Sequence, residues 1–161
     1  TAAGVISTIT PAYPYTSTLS YAPQVYGILD GSPSLNIPNN TNTTITGYST
    51  FTSSGEGIIS GNTSTGVITV ALSGLYQYDV RCVWDSNTTG NRSIVLSSSS
   101  TSYLDGYYTS ASAAVIPGPG NAQVLSGIIS LGTNATVNIA VSQNSGSART
   151  VTLANLKLVR L

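Results

Sequence analysis

From Leu75 to Trp84 the chain reads LYQYDVRCVW, with apolar and polar side chains alternating from Tyr76 to Cys82. Successive residues of a strand point to opposite faces, so Tyr76, Tyr78, Val80, Cys82 and Trp84 share one side, and Gln77, Asp79, Arg81 and Asp85 share the other. The pattern predicts a long strand with one core face and one polar face. Similar β-branched and aromatic runs recur roughly every 8 to 12 residues between Gly, Asn and Ser clusters, and no window keeps helical spacing over three turns. Predicted strands are Gln24 to Leu29, Thr44 to Phe51, Gly57 to Ser60, Gly66 to Leu72, Leu75 to Trp84, Arg92 to Ser97, Ser102 to Thr109, Ala111 to Ile116, Ala122 to Leu131, Ala135 to Ser142 and Arg149 to Leu161. Turn chemistry falls between them: DGS at 30–32, SGN at 60–62, NTTG at 87–90, PGPGN at 117–121, GTN at 132–134 and NSGS at 144–147. So many short strands around one core predict an all-β sandwich or barrel.

Residues 1–23, TAAGVISTITPAYPYTSTLSYAP, hold three Pro and no charge. Pro removes donors and fixes φ, so this stretch is expected to be an extended neck or linker, with 24–161 forming a single head domain. The sequence neither starts with Met nor contains one, and is expected to be an excised part of something longer.

Composition narrows the function. Only 6% of residues are charged, five of each sign, and there is no His, so no basic face exists for a phosphate backbone and nucleic acid is not expected as a partner. The 40% hydrophobic content separates the chain from disordered Ser/Thr/Asn/Gly-rich sequences. No apolar run approaches the roughly 20 residues needed to span a bilayer, so membrane insertion is not expected.

Candidate chemistry is sparse. Without His, the usual Ser and Cys nucleophile arrangements cannot form, and Cys82, on the apolar side of its strand, is expected to be a buried small hydrophobe. Asp30, Glu56, Asp79, Asp85 and Asp105 form no recognisable carboxylate pair, so no catalytic residues are assigned and the protein is expected not to be an enzyme. Calcium would have to draw on Asp30, Asp85 and Asp105, but no Asp-x-Asp-x-Asp loop occurs, and no metal or cofactor is expected. Asn39, Asn42, Asn62, Asn87, Asn91 and Asn134 each begin an Asn-x-Ser/Thr triplet, and are read first as polar loop residues. The most suggestive surface is SYLDGYYTSASAAVIPGPG at 102–120, where Tyr103, Asp105, Tyr107 and Tyr108 offer amphipathic contact area for a ligand. Alternatively Tyr103 and Tyr107, which share strand parity, pack inward and leave Tyr108 exposed.

GVITV at 66–70, SGLY at 73–76, GNRSI at 90–94, GIISLGTNATVNIAVS at 127–142 and the closing ANLKLVRL at 154–161 follow in an order that resembles the C1q/TNF-like jelly-roll domains. The likeness covers roughly 45–161. Asn134 stands where Asp is common, and the last strand lacks the usual Phe-Gly pair. The resemblance implies a ten-stranded jelly-roll β-sandwich forming a homotrimer, with Gln77, Asp79 and Arg81 turned toward neighbouring protomers. It implies a non-enzymatic head, or knob, at the end of a surface fibre. The expected site is a virion surface, with attachment to a host-surface glycan or protein receptor. The alternatives are a structural capsid domain, or the head of a bacterial or spore-surface collagen-like protein.

Overall fold

The computed structural model describes residues 24–87, 89–99 and 121–161. They form eleven strands: β1 Tyr26–Gly31, β2 Leu35–Ile37, β3 Thr43–Thr44, β4 Thr50–Ser53, β5 Ile59–Asn62, β6 Val67–Val70, β7 Gly74–Trp84, β8 Arg92–Ser98, β9 Asn121–Leu131, β10 Ala135–Gln143 and β11 Arg149–Arg160. The first sheet runs β4-β1-β11-β7-β9, with β2 also paired to β11. The second runs β3-β10-β6-β5, with β8 on the opposite edge of β10. Every pairing is antiparallel. The two sheets face each other across one core, the jelly-roll sandwich that the motif order implies.

The alternation in β7 does what the sequence predicts. Tyr76, Tyr78, Val80, Cys82 and Trp84 are all buried, while Gln77 and Arg81 are exposed and Asp79 is half-buried. Leu156 and Leu158 on β11 and Leu125 and Ile129 on β9 extend the same core layer, and Ile68, Val137, Ile139 and Val141 supply the facing layer. A bulge between Val151 and Leu153 shifts the phase of β11, so that Val151 and Ala154 both reach the core.

Four details differ from the sequence reading. The strand expected over Thr44 to Phe51 is split into β3 and β4 at Gly47, whose φ of 76° is a left-handed turn conformation. Leu35–Ile37, between Pro33 and Pro38, forms a short strand at the edge of β11 that was not predicted. Asp30 and Gly31 end β1, and Ser60 to Asn62 belong to β5, so the turns expected at those triplets lie further along. The neck at 1–23, the strands at Ser102 to Thr109 and Ala111 to Ile116, and the first four residues of the turn at 117–121 lie outside the described residues.

Two consequences are measurable. Leu156 is fully buried at the centre of the first sheet, so Leu156→Ala should cost about 2–5 kcal/mol in denaturant unfolding. Burial also pushes the Cys82 thiol up to about 12 from its ordinary 9.0. Above pH 9 the unfolded chain loses a proton that the folded chain keeps, so this thiol lowers stability as pH rises through that window. Wild type should lose about 1.4 kcal/mol per pH unit more than Cys82→Val there, and identical alkaline slopes would contradict the burial.

Candidate assembly face

The outer face of the first sheet is laid out in cross-strand rows. Val124 on β9 lies beside Arg81 on β7, then Asn155 on β11 and Asp30 on β1. The next row is Ser126, Asp79, Lys157 and Ile28, and the one after it Ile128, Gln77, Val159 and Tyr26. Leu75 and Ser130 begin a further row, where the Leu161 N–H donates to the Leu75 carbonyl at 3.0 Å.

This face is apolar where solvent should favour polar groups. Val124 is 64% exposed, Ile128 55%, Leu161 60% and Leu75 41%. Interleaved with them are Asp79, Arg81 and Lys157, and among the described residues the only ion pair within 4.0 Å is Arg149 with Asp85, at 3.9 Å on another part of the molecule. Asp30 instead accepts a hydrogen bond from Asn155 Nδ2 at 3.3 Å. Gln77, Asp79 and Arg81 thus do share one surface, as the alternation implied. The partners the sequence reading missed are Lys157, which pairs with Asp79 in register, and the two apolar residues of β9. A signal for β9 was present: VLSGIISL is apolar on both strand faces, which a sheet facing the core on one side does not require.

Buried contacts hold this face in place. The side chain of Tyr78 lies across Gly127 on β9, where any Cβ would meet the phenol 2.6 Å from its oxygen. Trp84 Nε1–H donates to Gln123 Oε1 at 2.9 Å, and Gln123 Nε2 donates to the Arg92 carbonyl at 2.9 Å. A buried amide on the first sheet is thereby tied to the second. Arg92 lies over the Trp84 ring at 5.7 Å.

Other candidates are dispersed. Asp30, Glu56, Asp79 and Asp85 are not gathered into a carboxylate group, and among the described residues no cluster of three or more His, Cys, Asp or Glu exists. Tyr103, Asp105, Tyr107 and Tyr108 lie outside the described residues. No helix of the described residues is long and apolar enough to cross a membrane.

No protein-family model matches the sequence, and no curated protein matches it. Solved structures do match in fold. Murine APRIL at pH 5.0 is 14% identical with a TM-score of 0.54, covering 86% of this chain and 99% of that one. The phage PRD1 vertex protein P5 is 16% identical at 0.59, covering 86% and 96%. The globular domain of zebrafish complement 1qA is 13% identical at 0.50, covering 85% and 96%. The chain has the TNF/C1q-like jelly-roll fold.

Removing the buried amide tests the support of this face. Gln123→Ala leaves the Trp84 N–H and the Arg92 carbonyl without their partner, and should cost about 1–3 kcal/mol in thermal or denaturant unfolding. A loss below about 0.5 kcal/mol would mean that the tie between the sheets is not structural.

Proposed function

We propose that this chain is the non-enzymatic head of a surface fibre, assembled as a homotrimer through the outer face of the first sheet and used by a viral particle for attachment. The observation behind it is the pairing of exposed Val124, Ile128, Leu75 and Leu161 with charges that find no ion partner among the described residues. An apolar patch with interleaved charge is the composition of an interface, since isolated charges fix orientation while apolar area drives association.

A threefold arrangement is heterologous, so different parts of the patch meet at each contact. Asp79 of one protomer would then face Arg81 or Lys157 of the next. The jelly-roll likeness to a phage vertex protein favours a place on a virion surface over a bacterial or spore surface. A host-surface glycan or protein receptor is the partner this arrangement would present itself to, through loops and grooves left open by assembly.

Light scattering on the purified chain should give the mass of three copies. The double variant Val124→Lys, Ile128→Lys should shift it to one copy with the β-sheet spectrum retained. Asp79→Arg should weaken association, and adding Arg81→Asp should restore part of it. A monomeric wild type would overturn the assembly. For attachment, soluble head should block adsorption of particles that carry it, and particles lacking it should assemble but fail to adsorb. Failure to assemble would favour a structural capsid role instead.

A further inference from the structure

The second sheet presents its own outer surface on the far side of the sandwich, and at one end of it lies a cavity of about 470 Å³. It forms where the Asn40 to Asn42 loop, the start of β8 and the end of β10 converge. Among the described residues its lining side chains end in an amide, a hydroxyl or a guanidinium, and none in a carboxylate.

Backbone bonds build it. The Asn40 N–H donates to the Gln143 carbonyl at 2.7 Å, and the Asn144 N–H donates to the Asn91 carbonyl at 3.1 Å. Gln143 is buried and committed to the scaffold, donating to the carbonyls of Ile37 at 3.1 Å and Ser147 at 2.8 Å. The hydroxyls of Ser93 and Ser142 lie 2.6 Å apart. By contrast the side-chain amides of Asn40, Asn42 and Asn91 make no hydrogen bond to the described residues. Three exposed amides with both donor and acceptor capacity therefore line one opening without a side-chain hydrogen bond to the described residues.

A second feature lies among the same residues. Arg92 is only 2% exposed, stacks on Trp84, and donates through Nη2 to the Asn87 carbonyl at 3.2 Å, while its buried Nε has no partner among the described residues. Arg149 is close by, donating through Nε to Ser145 Oγ at 3.0 Å next to Asn144, and the one carboxylate of this cluster is Asp85. Two guanidiniums against one carboxylate leave this end of the sandwich positive.

We propose that this cavity binds a sugar residue bearing an anionic group, either carboxylate or sulfate. Amide side chains match vicinal hydroxyls because each carries donors and acceptors together. The described lining side chains end in polar groups above a partly apolar wall, a combination that suits a sugar's hydroxyls and ring better than a purely apolar ligand, and the volume falls in the range of about 300–1,000 Å³ typical of small-ligand sites. The positive bias selects an acidic sugar over a neutral one. Since the cavity is on the sheet opposite the proposed assembly face, trimerisation would leave three copies open, which suits multivalent attachment. The inference supplies a ligand class for the attachment reading and rests on that reading for its biological setting.

The test uses the whole chain, with Trp84 fluorescence and NMR amide shifts as readouts. Intact mass comes first, because Asn42 and Asn91 also begin Asn-x-Ser/Thr triplets. A glycan attached at either would fill the opening and overturn the ligand assignment. Glucuronic acid, glucose 6-sulfate and glucose are then titrated separately. Either acidic sugar should shift the amides of Asn40, Asn42, Asn91 and Asn144, more weakly in high salt, with glucose at least several-fold weaker. Which acid binds tighter distinguishes carboxylate from sulfate. The exposed-site variants Asn42→Ala and Asn91→Ala should each weaken binding about five- to tenfold without changing thermal stability. Equal affinity for glucose, shifts elsewhere, or no shift with any probe would overturn the proposal. The two readings fail separately. Cell adsorption that survives both variants leaves the attachment head standing and removes this cavity as its ligand site. Sugar binding by a head that adsorbs to nothing does the reverse.

Discussion

Period-two geometry in β7, gripped on both sides by β9 and β11, governs the rest of the structure. Its eleven residues pair in unbroken register with β9 from Gly74–Leu131 to Trp84–Asn121. Once Tyr76, Val80 and Trp84 enter the core, Gln77, Asp79 and Arg81 have no choice of side, and the neighbouring strands inherit the same division. A slip of one residue would bury two charges and expose the chain's only Trp, an exchange that costs far more than any local gain. The outer surface is therefore specified by the inner one.

That division also explains why one sheet offers an assembly face and the other a polar cavity. The outer positions of β9 keep Val124 and Ile128, whereas β10 places Thr136, Asn138 and Ser142 outward and β8 places Ser93 and Ser97. Val95 and Ala140 interrupt the polar positions of the second sheet, so the two outer faces differ chiefly in charge: Asp79, Arg81 and Lys157 lie on the first, and the outward residues of β8 and β10 are uncharged. A molecule so divided has an inside and an outside before any partner arrives.

Much of this was legible in the sequence wherever the signal was local. Alternation found β7, β9, β10 and β11 to within a residue or two, and the motif order pointed to the jelly-roll sandwich. Signals failed where non-local pairing decided the outcome. Leu35–Ile37 is strand only because β11 offers it an edge, and two flanking prolines argued against it. Thr44 to Phe51 reads as one β-rich run, yet the two halves must join different sheets, and Gly47 makes the corner. The cavity was invisible for the same reason: Asn40, Asn91 and Asn144 are remote in sequence and meet through bonds between their loops, including the Asn91 N–H to Asn144 Oδ1. Lys157 was overlooked because its significance comes from register with Asp79, which no single strand reveals.

The position of β11 has a consequence for how the protein is made. This strand lies in the middle of the first sheet, bonded to β1 on one side and β7 on the other, although it follows every other described strand in sequence. During synthesis the sheet cannot close until residues 149–160 have left the ribosome, and until then β1, paired only with β4, and β7, paired only with β9, each keep one open edge. Birth order and spatial order are thus opposed: of the described strands, the one at the centre of the sheet is the last to emerge.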